Sequence, residues 1–323
     1  MDFLSLLTYP VAFYLMFSSS GDNTAASMGP VVGSGVRSFW EVILIIAVFG
    51  TLGAVLQGSA VEQTLGGGII MDALPGYAAV IIILTTALWG SGFLLGFVPV
   101  STAYAVIGAS IGTSLYLGTT LNWQLIGFIV LGWFITPFVA LAISLGIAWY
   151  ILPFLRLRGK NPLNTYRILS VLLTAGACFQ AYTFGANRIG FVTGPIRQAF
   201  GEASTPLYLL AIVGMILGPA VVGRRFIKVL GRDITRLDPG QGFSVNMGSA
   251  VSVYAMTLFG LPASFDIATV GGVVGAGSSK GLHQVRTRVV KKIAITWVGS
   301  IVLSLITAYL LAFGYNAWGG LTI

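Results

Sequence analysis

The stretch VPVSTAYAVIGASIG at residues 98–112 aligns without gaps on LPASFDIATVGGVVG at 261–275. Pro99 falls on Pro262, Ser101 on Ser264, Gly108 on Gly271 and Gly112 on Gly275, an offset of 163 residues. Upstream of each, DNTAASMGP at 22–30 aligns on NRIGFVTGP at 187–195, an offset of 165. Two separate matches at nearly one offset mark an internal repeat, and in membrane proteins such repeats locate the site.

Composition places the repeat in a bilayer. Hydrophobic residues make up 56% of the 323 and charged residues only 8%, with a mean hydropathy of +0.92. A soluble domain carries about a quarter charged residues. The net charge of +8 is confined: of 17 basic residues only Arg37 precedes residue 156. The others fall mostly in three clusters, Arg156–Arg158–Lys160–Arg167, Arg224–Arg225–Lys228–Arg232–Arg236 and Lys280–Arg286–Arg288–Lys291–Lys292. Basic residues between apolar segments read as cytoplasmic loops, with lipid headgroups as a secondary partner and no nucleic acid. Cys178 is the single cysteine, so no intrachain disulfide forms. Asp2 stands where a signal peptide carries basic residues, and the first apolar stretch is expected to be retained.

Segments of about 20 apolar residues give ten candidate spans: roughly 3–20, 38–58, 76–98, 101–118, 124–153, 165–186, 205–222, 241–259, 262–277 and 291–314. With the basic clusters inside, alternation places 59–75 and both termini outside the cell membrane, and Arg37 inside. Five segments per half is an odd number, so the second half enters the membrane the other way up. The expected fold is an all-α polytopic membrane protein of two inverted repeats, 1–158 and 159–323, with broken or re-entrant helices at the signature motifs. That architecture belongs to secondary transporters, whose sites lie near the midplane.

The stretch FSSSGDNTAASMGP at 17–30 reads as loop-like backbone lining a wet cavity, with a helix opening near Gly29–Pro30. Pro99–Val100–Ser101–Thr102 and Pro262–Ala263–Ser264 read as chain breaks that open further helices. Helix starts, hydroxyls and exposed N–H groups converging on one place suit a small anion. The candidate anion ligands are Ser20, Asn23, Ser27, Ser101, Thr102, Asn187, Arg188 and Ser264. Arg188 can form two parallel bonds to a tetrahedral oxyanion, or else be an interfacial Arg. Asp22 and Asp266 read as sites for a coupling cation, sodium or a proton, or as partners of Arg188. Asn246 is a weaker candidate, His283 sits in a basic loop, and Gly108-x-x-x-Gly112 and Gly271-x-x-x-Gly275 read as close helix packing.

These residues resemble the inorganic phosphate transporter family. Each half of that family carries a signature like Gly-Ala-Asn-Asp-Val-Ala-Asn-Ala-x-Gly-Pro and a second like Gly-Leu-Pro-Val-Ser-Thr-Thr-His. Gly185, Ala186, Asn187, Gly194 and Pro195 match the first, as do Gly29 and Pro30. Pro99, Val100, Ser101 and Thr102 match the second, as do Gly260, Leu261, Pro262 and Ser264. The resemblance implies a cation-coupled symporter that holds phosphate at the signatures, with sodium ions or protons beside it. The chain departs from it at Asp22–Asn23, where the pair is reversed, at Ala26 and Phe191, which replace the later Asn, and at Arg188, which replaces Asp. The run Ala25–Gly29 is more similar to the sulfate-permease branch.

The leading reading is therefore a secondary transporter of phosphate or a similar oxyanion, with a sulfate permease as the alternative and an uncoupled anion channel as the second. No cofactor beyond the coupling ion is implied, and a homodimer is common among such folds. An enzyme fits poorly, because the chain has no paired-carboxylate metal motif, no Cys or His cluster, and no His near a Ser nucleophile.

Overall fold

The computed structural model describes residues 3–90, 101–158, 161–201, 203–225, 238–279 and 287–317. Side chains are described throughout these ranges except at 3–4, 22, 24–27, 156–158 and 287–297. His283 and Pro99 lie outside the described residues.

The regular structure is helical, with one β-bridge between Ile70 and Leu121. Apart from the short Ser59–Gln63 helix and the Thr64–Gly68 turn after α2, the helices in chain order are α1 (Phe3–Gly33), α2 (Phe39–Gln57), α3 (Gly76–Gly90), α4 (Thr102–Leu117) and α5 (Trp123–Leu155). They continue as α6 (Pro162–Arg188), α7 (Gly190–Phe200), α8 (Thr205–Gly223), α9 (Pro239–Leu258), α10 (Phe265–Ser278) and α11 (Thr287–Ala317). Each of the ten apolar segments overlaps one of these helices. Among the described residues five spans are long and apolar enough to cross a membrane: α2, α5, α6 with α7, α8, and the Val298–Ala317 part of α11. A chain of this composition and helix content is a multi-pass membrane protein.

The chain does not open at the first signature. α1 runs without a break through 17–30, and Pro30 lies inside it, three residues from its end, so no helix starts at Gly29–Pro30. The polar side chains return their hydrogen bonds to carbonyls one turn back: Ser18 Oγ donates to Leu15 O at 3.2 Å and Asn23 Nδ2 to Ser19 O at 2.7 Å. A Ser or Asn satisfied in this way needs no loop. Small residues also allow α8 to come close, since a side chain at Gly21 would run into Val222 and the Gly218 carbonyl. In the second half, Gly194–Pro195 likewise lies inside a helix, and α6 passes to α7 through Ile189 alone. The break does occur at the second signature, where Leu261–Ser264 is non-helical between α9 and α10.

The halves pack by reciprocal exchange. α4 lies against α11 and α10 against α5, while α1 lies against α8 and α6 against α2. The contacts correspond residue by residue. A side chain at Gly108 or Gly112 would strike the carbonyl of Ile301 or Leu305 on α11. One at Gly271 or Gly275 would strike the carbonyl of Pro137 or Leu141 on α5. Gly53 meets Tyr182 O of α6 just as Gly218 meets Phe17 O of α1. Only glycine permits backbones this close, which gives both Gly-x-x-x-Gly pairs a packing role.

Candidate functional site

Arg188 closes α6 and is fully buried, at 0% exposure. It is not an interfacial residue. A guanidinium in such a place needs compensation. Its Nη2 donates to Asn23 Oδ1 on α1 at 3.1 Å. Its central carbon lies 5.1 Å from the ring centre of Phe191 and 5.5 Å from that of Phe184. Aromatic faces attract the cation without consuming its N–H donors. Asn23 is itself fully buried, held by its bond to Ser19 O.

The aromatic contacts extend to the second signature. The Phe184 ring lies 5.6 Å from that of Phe265, the first residue of α10. The next residue, Asp266, is 6% exposed and within electrostatic range of Arg188. Its Oδ2 makes no hydrogen bond among the described residues.

Asn187 fixes the backbone that leads into α10. Its Nδ2 donates to Thr257 Oγ1 at 2.9 Å and to Leu261 O at 3.3 Å, and its Oδ1 accepts from Ala263 N at 3.2 Å. Trp133 on α5 does similar work from the other half. Its Nε1 donates to Pro262 O at 2.6 Å, and its ring centre lies 4.0 Å from that of Tyr104 in the first turn of α4. The start of α4 and the segment before α10 thus meet across one indole.

Ser101 and Ser264 occupy the N-cap positions of α4 and α10 with nearly the same backbone, φ −88°, ψ 108° and φ −104°, ψ 114°. Neither side chain caps its own helix, and neither buried hydroxyl makes a hydrogen bond among the described residues. A capping side chain would normally occupy the first-turn N–H groups. Here an outside acceptor can take them, together with the hydroxyl. Thr102 is buried but turned back, with Oγ1 donating to Gly90 O at 3.3 Å. Ser20 is buried in α1. The side chains of Asp22 and Ser27 lie outside the described residues, although both positions are helical.

Arg188, Asn23 and Asp266 thus share one buried region, with Ser264 beside Asp266 and Ser101 joined to it through Trp133. Among the described residues no group of three His, Cys, Asp or Glu side chains is arranged to hold a metal. Phe184, Phe265, Trp133 and Thr257 belong to the surroundings and are not singled out by the motifs. Phe191 is visible in the sequence, since it stands where the first signature carries Asn.

A family model described as the phosphate transporter family matches residues 20–308. The chain belongs to that family. A Bacillus subtilis protein named sulfate permease CysP is 29% identical to this transporter over 315 residues, covering 95% of this chain and 86% of that one. A Chlamydia pneumoniae protein, provisionally named a phosphate permease, is 27% identical over 411 residues, with 94% and 96% covered. A solved structure titled "The sodium-dependent phosphate transporter" superposes with a TM-score of 0.84 at 22% identity, over 98% of this chain and 100% of that one. That likeness shows a shared fold. The protein is a transmembrane transporter and not an enzyme.

Proposed function

We propose that the protein carries inorganic phosphate, or a similar tetrahedral oxyanion, across the cell membrane by cation-coupled symport. The observation that carries this reading is the fully buried Arg188 guanidinium, bonded to the Asn23 amide and within electrostatic range of Asp266 in the first turn of α10, the helix whose N-cap Ser264 hydroxyl is open. A fixed cation, neutral donors and a helix N-terminus together replace the water that an oxyanion gives up. In this reading Asn23, Ser101, Arg188 and Ser264 bind the anion, and Ser20 and Ser27 are further candidate ligands. Thr102 joins them only by giving up its bond to Gly90 O, and Asn187 holds the backbone beside the site. Asp22 and Asp266 take the coupling sodium ion or proton. Asp266 has an unused carboxylate oxygen for that purpose.

The two halves, 1–158 and 159–323, act as inverted repeats with both termini outside. The reciprocal glycine contacts support the repeat relation, because a two-fold axis makes residue i meet j′ while i′ meets j, and the placement of the basic loops supports the orientation. Transport is then a rocking of one repeat against the other around the Arg188 site. Coupling requires that anion and cation favour the same occluded state.

A second reading is sulfate. Arg188 stands where the family signature carries Asp, and a fixed cation suits a dianion that needs no proton. The relative named sulfate permease CysP is consistent with it. The deciding experiment is uptake of radiolabelled phosphate and, separately, sulfate into proteoliposomes with an inward sodium gradient, an inward proton gradient, or neither. Sodium-driven phosphate uptake is expected. Proton-driven sulfate uptake with phosphate a poor competitor would establish the second reading. Flux that ignores both gradients would mean an uncoupled channel.

A further inference from the structure

α6 and α9 hold between them a polar cluster that the anion site does not use. Gln180 on α6 donates from Nε2 to Ser249 Oγ on α9 at 3.3 Å. Asn246 stands one turn before Ser249. Its Cβ lies 3.6 Å from where a side chain at Gly176, one turn before Gln180, would begin. Gln180, Asn246 and Ser249 are all fully buried. Neither Nδ2 nor Oδ1 of Asn246, nor Oε1 of Gln180, makes a hydrogen bond among the described residues. A buried amide left unpaired at both ends is costly, so something must occupy it for part of the time.

The internal repeat shows that packing does not demand these residues. By the offsets of the two signatures, Gln180 corresponds to Leu15 and Asn246 to Ile83, both fully buried in the apolar core. The first half thus fills the same places with hydrocarbon, and the polarity of the second half is an addition. Its position is informative. Gln180 lies seven residues before Asn187 and on the same face of α6, about 10 Å along the axis. Asn246 precedes Thr257, the partner of Asn187, on α9. A polar seam therefore runs from the Arg188 region towards the N-terminal ends of α6 and α9, the ends reached from basic loops.

We propose that Gln180, Asn246 and Ser249 form a transit subsite for the oxyanion, lying between the Arg188 site and the membrane face at those helix ends. This rests on the transport reading above. The amide N–H donors of Asn246 and Gln180 replace part of the hydration shell, and Ser249, which donates to Val245 O, holds Gln180 in place. The unused side-chain carbonyl oxygens accept from water travelling with the ion. No fixed charge is present, so the ion is passed on and not trapped.

The test gives the second half the residues of the first, Gln180→Leu with Asn246→Ile. Binding of radiolabelled phosphate and sulfate to purified protein is expected to stay within about twofold of wild type, while initial uptake into proteoliposomes falls about tenfold. Wild-type uptake by this variant, or equal losses of binding and uptake, would overturn the proposal. Wild-type vesicles that carry neither anion would instead overturn the transport reading itself. Should the double variant not fold, Asn246→Cys in a Cys178→Ala background leaves a single thiol. A charged methanethiosulfonate reagent is expected to label it, more slowly under saturating phosphate or sulfate, and an inert thiol would overturn the subsite.

Discussion

Arg188 and Asn23 occupy the same position of the two aligned signatures, 165 residues apart, and they bond to each other at 3.1 Å. In the proposed two-fold arrangement of the repeats, equivalent residues meet at its centre, and this bond would put there Arg188, the one fully buried cation among the described residues.

Replacing Arg188 separates charge from shape. Arg188→Lys keeps the charge but loses the planar fork and its fit against Phe184 and Phe191. Phosphate and sulfate affinity is expected to fall about tenfold or more in Arg188→Lys, and further in Arg188→Ala, measured by equilibrium binding of the radiolabelled anions. Undiminished uptake by Arg188→Ala would remove the residue from the site.

The hydroxyls of Ser101 and Ser264 are unused within the described protein, which predicts an unusual split. Ser264→Ala and Ser101→Ala are expected to leave thermal stability unchanged or slightly raised, because an unpaired buried polar group is removed. Anion affinity should meanwhile drop by about fivefold for each lost hydrogen bond, roughly 1 kcal/mol. A melting curve in detergent and a binding isotherm on one preparation check both halves of this statement.

Asn187 should behave in the opposite way. Asn187→Ala breaks three hydrogen bonds and leaves Thr257, Leu261 O and Ala263 N to find other partners. A loss of about 2–4 kcal/mol is expected, seen as a lower unfolding midpoint, with activity falling through the displaced start of α10. A stable Asn187→Ala protein with intact folding but no anion binding would make the residue a direct ligand.

Glycine substitutions test the packing between the halves. Gly112→Ala and Gly275→Ala each place a methyl against a backbone carbonyl of the opposite half and are expected to cost about 1–3 kcal/mol. Gly127→Ala, with nothing within 4 Å of the added carbon, is expected to be neutral or to stabilise α5 by up to about 1 kcal/mol. Thermal unfolding of the three variants in one detergent ranks them.

The apolar segments are legible in the sequence because a bilayer demands long runs. The second signature is legible because a chain break at Pro262 cannot hide in a helix interior without cost. The stretch at 17–30 misleads for a definite reason. Ser, Gly, Asp and Asn signal loops in water, but in a packed membrane helix Ser18 and Asn23 bond back to their own turn, and glycine serves close approach. Arg188 can be suspected from its sequence position, yet its burial cannot. Phe184 and Phe265 meet from helices far apart in the chain, and nothing local to either residue announces the contact.

The exchange of helices between halves has a consequence for synthesis. Gly108 and Gly112 are made early, yet the backbone they pack against, at Ile301 and Leu305, belongs to α11, far later in the chain. A ribosome that has delivered residues 1–158 has therefore placed in the bilayer a set of helices whose closest contacts do not yet exist. The nascent first half must wait, lipid-solvated and open to quality control, until α11 has been inserted.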